Sequence, residues 1–158
     1  MLKITDDNYH EYKQIFDLLW KFEASRNKID PNLEHSPLNV LNEWEKKGKS
    51  LAKTGLKVGL LDMLTMSMDM SIEMKKDLSL QLTSQGFPGL SQLVSTIKGT
   101  IRKILKRGKI KNIDEYYVTK DLLNDSKYYM SETDQVQIGQ MMENFEISYG
   151  EKKNSHQL

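Results

Sequence analysis

An all-α fold of about six helices is what this 158-residue sequence predicts, and three observations predict it. Leucine, isoleucine and methionine recur at three- and four-residue spacing through most of the chain, as the buried stripe of a helix requires. Chain breakers are few, nine glycines and three prolines, and many fall between those periodic runs. Beyond the first few residues, no stretch alternates apolar and polar over the length of a strand.

The first helix is expected from about Asp7 to Arg26. Tyr9, Tyr12, Phe16, Leu19, Trp20 and Phe22 fall on one broad apolar face. Asp6 and Asp7 place negative charge at the positive end of the helix dipole, and Asp30-Pro31-Asn32 ends the element in a polar loop. The second helix has the clearest start. Ser36 can cap, and Pro37 stands at the first helical position, where its missing N–H loses nothing. The pattern continues through Leu41, Trp44, Leu51 and Leu56 toward Met66. Gly48, Ala52, Gly55 and Gly59 form one line along that helix, at steps of four, three and four. An interior glycine costs about 1 kcal/mol relative to alanine. The line therefore reads either as a place where another backbone approaches closely, or as a break into two helices at Gly48 or Gly55.

A third helix, about Ser71 to Gln85, carries Met74, Leu78 and Leu82; Gly86 supplies a left-handed stop before the turn Phe87-Pro88-Gly89. The fourth is the cleanest amphipath, with Leu90, Leu93, Val94, Ile97, Ile101, Ile104 and Leu105 in one stripe and Gly108 at its end. The fifth begins at Asn112 with Glu115 three residues after the cap, a capping-box pattern, and finishes near Asn124-Asp125. The sixth begins at Ser131, has Glu132 and Asp134 in its first turn, and buries Val136, Ile138, Met142 and Phe145. The short connections at 86–89 and 108–111 favour antiparallel or steeply crossing neighbours. Residues 1–150 are expected to form a single helical domain with room for a subdivision near 86–89, and 151–158 a disordered, polar tail.

Composition narrows the function classes. With no cysteine there can be no disulfide framework, thiolate metal site or cysteine nucleophile. Twenty-three basic against 22 acidic residues argue against a simple polyanion binder. The most apolar stretch, Val58 to Met70, is interrupted by Asp62 and Asp69 and is far short of the roughly 20 residues a membrane span needs. Met1 to Asp7 lacks the basic start and apolar run of a secretory signal. A cytoplasmic protein with no membrane partner is expected.

The charge map is more informative than the net charge of +1. From Leu78 through Ile113 there is no acid, while Lys98, Arg102, Lys103, Lys106, Arg107, Lys109 and Lys111 sum to +7. From Asp114 through Glu151, nine acids face only Lys120 and Lys127, giving −7. The blandest reading is that the blocks adjoin in the fold and cancel. A functional reading of the basic block is phosphate contact through Lys98, Arg102, Lys103, Lys106 and Arg107, with the counterion release that makes such binding salt-dependent. Against it, that helix has no aromatic residue for base stacking and no nucleic-acid motif.

His10, His35 and His156 form no ligand set at metal spacing, and no phosphate-cradling loop or nucleophile elbow occurs. No enzyme activity, metal or cofactor is expected. Asp121 and Asp125 lie one helical turn apart with no histidine partner nearby, which points to a partner-facing or structural role. Tyr116-Tyr117 and Tyr128-Tyr129 bracket the fifth helix within the acidic block. Exposed tyrosine among carboxylates suits a surface for a basic protein. Asp114, Glu115, Tyr117, Asp121, Asp125 and Tyr128 are the expected partner-binding residues.

The run from Arg107 through Tyr117 (Arg-Gly-Lys-Ile-Lys-Asn-Ile-Asp-Glu-Tyr-Tyr), followed by Leu122-Leu123-Asn124-Asp125 and the Ser131-Glu132 helix start, is similar to small helical bacterial proteins. Among these are immunity proteins encoded beside toxins of contact-dependent growth inhibition and other polymorphic systems. The resemblance covers about the last third of the chain. It implies a non-enzymatic cytosolic protein that binds one cognate toxin domain and blocks it, and it transfers no catalytic residue. If the toxin is a nuclease, its basic cleft would draw in an acidic mimic electrostatically.

Overall fold

The computed structural model describes residues 2–124 and 131–155, except for the side chains of 114, 118, 121, 122, 124 and 155. Among the described residues the architecture is all-α, with seven helices: α1 Tyr9–Arg26, α2 Pro37–Lys47, α3 Lys49–Ser67, α4 Ile72–Ser84, α5 Leu90–Arg107, α6 Ile113–Asn124 and α7 Glu132–Ser155. The additional helix arises at Gly48, whose φ of +157° and ψ of +152° lie in a region essentially confined to glycine. Its N–H closes α2 on the Trp44 carbonyl at 3.1 Å, and its own carbonyl accepts from Ala52 N–H to open α3.

Helix ends follow the capping chemistry in the sequence. Ser36 Oγ accepts from Asn39 N–H, Ser71 Oγ from Met74 N–H, Asn112 Oδ1 from Glu115 N–H and Ser131 Oγ from Asp134 N–H. Ahead of α1, Thr5 and Asn8 form a reciprocal box: Asn8 Oδ1 accepts from Thr5 N–H at 2.8 Å, and Thr5 Oγ1 accepts from Asn8 N–H. Gly86 and Gly108 take φ of +84° and +80° after α4 and α5. Lys28, a residue with a Cβ, does the same job after α1 at φ +55°, where Ile29 N–H reaches back to the Ala24 carbonyl at 2.8 Å.

The chain divides into two compact units, Met1–Ile97 and Lys98–Leu158. The division falls inside α5 and not at 86–89. There the turn is tied back, with Leu90 N–H donating to Ser79 Oγ at 3.1 Å. In the first unit α1, α2 and α3 pack on one another and α4 packs on α1. Ile15, Leu56, Leu60, Leu61, Leu64 and Leu82 are among its most deeply buried apolar residues. Here the glycine line finds its reason. A Cβ on Gly55 would stand 2.0 Å from the Trp44 ring, and one on Gly59 would stand 2.9 Å from the Phe16 ring. Aromatic rings, not a neighbouring backbone, occupy the space the glycines leave.

In the second unit α6 packs along α7. Ile101, Ile104, Ile110, Ile138, Met141 and Met142 are buried. α7 continues to Ser155, so the segment expected to fray from 151 is helical as far as that residue. Among the described residues, no helix is long and apolar enough to cross a membrane.

Candidate functional site

Functional features concentrate in the second unit and begin at the turn after α5. Gly108 reverses the chain, and Ile110 is buried, so Lys109 and Lys111 on either side of it stand exposed. Two side chains brace this turn. Arg107 pairs with Glu115 at 2.5 Å and donates from Nε to the Lys109 carbonyl at 3.0 Å. Glu115 Oε2 in turn accepts from Lys111 N–H at 2.6 Å. The Glu115 side chain is only 7% exposed, and a buried carboxylate demands such partners.

α6 and α7 then build an aromatic row. Tyr117 meets Tyr116 edge-on at 5.5 Å between centroids, Tyr116 stacks on Phe145 at 5.3 Å, and Phe145 stacks on Tyr149 at 5.7 Å. The Tyr116 hydroxyl donates a short hydrogen bond to Glu146, and that bond raises the phenol's pKa above its ordinary value. Tyr117 and Tyr149 are exposed at the two ends of the row. Glu146 is exposed beside it, Glu143 is exposed elsewhere on α7, and no ion pair engages either among the described residues.

Where the 108–111 turn faces α7 there is a groove of about 330 Å³. Lys109 and Lys111 lie on one side, and Asn144, Phe145, Ser148 and Tyr149 on the other. The basic face of α5 carries Lys98, Arg102, Lys103 and Lys106, all exposed and in no ion pair with a described residue. Arg107 is set apart from them by its bond to Glu115.

Only part of the expected partner surface is brought together. Tyr117 is exposed and joins the aromatic row. Glu115 is corrected from a partner contact to the internal brace of the turn, because burial and the Arg107 guanidinium occupy it. Arg107, named for phosphate contact, is likewise committed to that brace. The side chains of Asp114 and Asp121, and all of Asp125 and Tyr128, lie outside the described residues. His10 and His35 are exposed, and among the described residues no group of three or more His, Asp or Glu is arranged to hold a metal. Sequence reading missed Phe145 and Tyr149 as site residues. Their four-residue spacing on α7 was a signal for stacking on one face, but the turn that faces them is some 35 residues away in the chain. The chain matches no protein-family model, and comparisons with curated proteins and with solved structures likewise find no match.

Proposed function

We propose that this chain is a non-enzymatic binding protein that captures a cationic protein on the acidic, tyrosine-bearing face of α6 and α7. Its partner in this reading is a bacterial toxin domain, a nuclease, whose substrate cleft it occludes. One observation carries the proposal: the aromatic row from Tyr117 to Tyr149, pinned by the Tyr116–Glu146 bond, on a helix that also exposes Glu143. Tyrosines already held in place give contact area with little entropy left to lose on binding. Exposed carboxylates steer a basic surface toward them.

The test is co-expression with the toxin domain encoded by the adjoining reading frame. The intact chain should restore growth and form an isolable complex. Tyr117→Ala and Glu143→Lys should each weaken that complex about tenfold while leaving the melting temperature within a degree or two. Growth arrest that the chain does not relieve, or affinity indifferent to both substitutions, would overturn the reading.

A second reading, nucleic-acid binding through α5, is favoured by Lys98, Arg102, Lys103 and Lys106, exposed and ion-paired to no described residue. Affinity for a DNA or RNA duplex that is strong and falls steeply with salt would support it over the first.

A further inference from the structure

We infer that the groove between the 108–111 turn and α7 is a binding site for a nucleotide unit, an aromatic base carrying phosphate. This does not rest on the toxin reading, because the residues it uses for charge lie on the turn and not among the acids of α7.

Three features of the groove converge on that chemistry. Its volume, about 330 Å³, is at the lower end for a small-molecule site and suits one nucleotide. Its wall is the end of a stack. Phe145 lies between Tyr116 and Tyr149 at interplanar angles of 22° and 21°. Tyr149 closes the row and is 43% exposed, so a base can add as the next layer. Sequence-tolerant stacking of this kind is how single strands are held, since every base has a π-face. Opposite the stack, the described charge lining the groove is all positive. Lys109 and Lys111 are exposed and ion-paired to no described residue. Asn144 and Ser148 add uncharged donors and acceptors suited to a base edge or sugar hydroxyl.

What makes this a built site is the brace beneath it. Arg107 holds the Lys109 carbonyl and Glu115 holds the Lys111 N–H, while Ile110 is buried between them. The backbone carrying both lysines is thereby fixed before a ligand arrives, which removes an ordering cost from binding.

The same chemistry comes from a free mononucleotide or from one residue of a single strand, and the experiment separates them. The full chain is titrated with AMP, with the Tyr149 ring resonances followed by NMR, and with a fluorescein-labelled octauridine followed by anisotropy at 50 and 200 mM salt. The expected result is octauridine binding that weakens with salt, and that falls about tenfold with Tyr149→Leu and at least as much with Lys109→Ala/Lys111→Ala. AMP that displaces the strand and shifts Tyr149 at comparable concentration would assign the site to free nucleotides; AMP that fails to compete would assign it to strands. Lys103→Ala, on the α5 face, is the control. Strand binding abolished by Lys103→Ala but untouched by the groove substitutions would overturn the proposal. So would the absence of any response to either probe at millimolar concentration.

Discussion

Lys28 shows at single-residue scale how a helix end can be built against local preference. It occupies the left-handed conformation after α1 at φ +55°, where a Cβ crowds the backbone and glycine does not. The two backbone bonds of the cap, from Ile29 to Ala24 and from Lys28 to Ser25, hold it there. Lys28→Gly should therefore stabilise the protein by about 0.5–1 kcal/mol in urea unfolding, the opposite of the usual glycine effect. Glu45 offers a pH-dependent counterpart. Burial alone would raise its pKa, but hydrogen bonds from Lys13 at 2.7 Å and Tyr9 at 2.7 Å outweigh burial and hold it below the ordinary 4.5. Tyr9 moves the other way: burial first, and then the neighbouring carboxylate, push its phenol well above 10. A carboxyl group with a lowered folded pKa stabilises the fold fully above its unfolded value, and that contribution is lost as pH falls through the folded value. Glu45→Gln should thus cost about 1 kcal/mol at pH 7, discounted for partial exposure. The difference from the unaltered chain should shrink steadily as urea unfolding is repeated from pH 4.5 downward. A difference that stayed constant to pH 3 would remove charge from the explanation.

For whole elements, the α2–α3 pair turns on which ring fills which gap. Gly55→Ala drives a methyl group into the Trp44 ring and should destabilise by about 2–3 kcal/mol. Gly139→Ala, on α7 with nothing within 4 Å of its added Cβ, should stabilise by about 0.5–1 kcal/mol. Paired thermal melts check both, and equal effects would mean that helix propensity, not ring packing, governs Gly55. This contrast also marks how far the sequence was legible. Local chemistry read out well: the caps at Ser36 and Asn112, the helix starts at Ser71 and Ser131, and the helix ends at Gly86 and Gly108 depend on residues within a few positions of each other. The spacing of Gly48, Gly55 and Gly59 allowed a close approach or a break, and both occur: the helix breaks at Gly48, while Trp44 approaches Gly55 and Phe16 approaches Gly59, and periodicity carries no information about which ring on which helix does so. Glu115 shows the same boundary in the site. Its place three residues after the cap predicts a bond back to the Asn112 N–H, whereas it reaches one residue further, to Lys111, because Arg107 draws the carboxylate that way. Removing one member of that pair leaves the other poorly compensated. Glu115→Ala should cost about 2–3 kcal/mol, and it should impair any ligand of the 108–111 turn along with stability.

Across the molecule, a net charge of +1 is the sum of two strong local fields of opposite sign, both carried on the second unit. Whether those fields are used up internally decides if either is available to a partner. Among the described residues of that unit, one pair joins the two blocks, Arg107 with Glu115. Lys98, Arg102, Lys103 and Lys106 on one side, and Glu132, Glu143 and Glu146 on the other, are exposed without such pairing. Salt distinguishes the two cases. Raising ionic strength from about 0.1 to 1 M shortens the Debye length from about 10 to 3 Å, which erases attraction between exposed charges but barely touches a buried pair. If the blocks held one another together across the surface, screening would remove several pairs at once, each worth some tenths of a kcal/mol. For a chain of this size, where 1 kcal/mol moves the midpoint by about 2–4 °C, the melting temperature would then fall by several degrees. The exposed, unpaired arrangement predicts instead a midpoint that moves by no more than about 2 °C over that range. Binding of a basic partner to α6 and α7 should weaken severalfold over the same range. A salt titration followed by scanning calorimetry measures the first quantity, and the same titration on the complex measures the second. Stability that is insensitive to salt, together with affinity that is sensitive to it, is the signature of charge directed outward. Stability that collapses with salt would mean the two blocks are spent on each other.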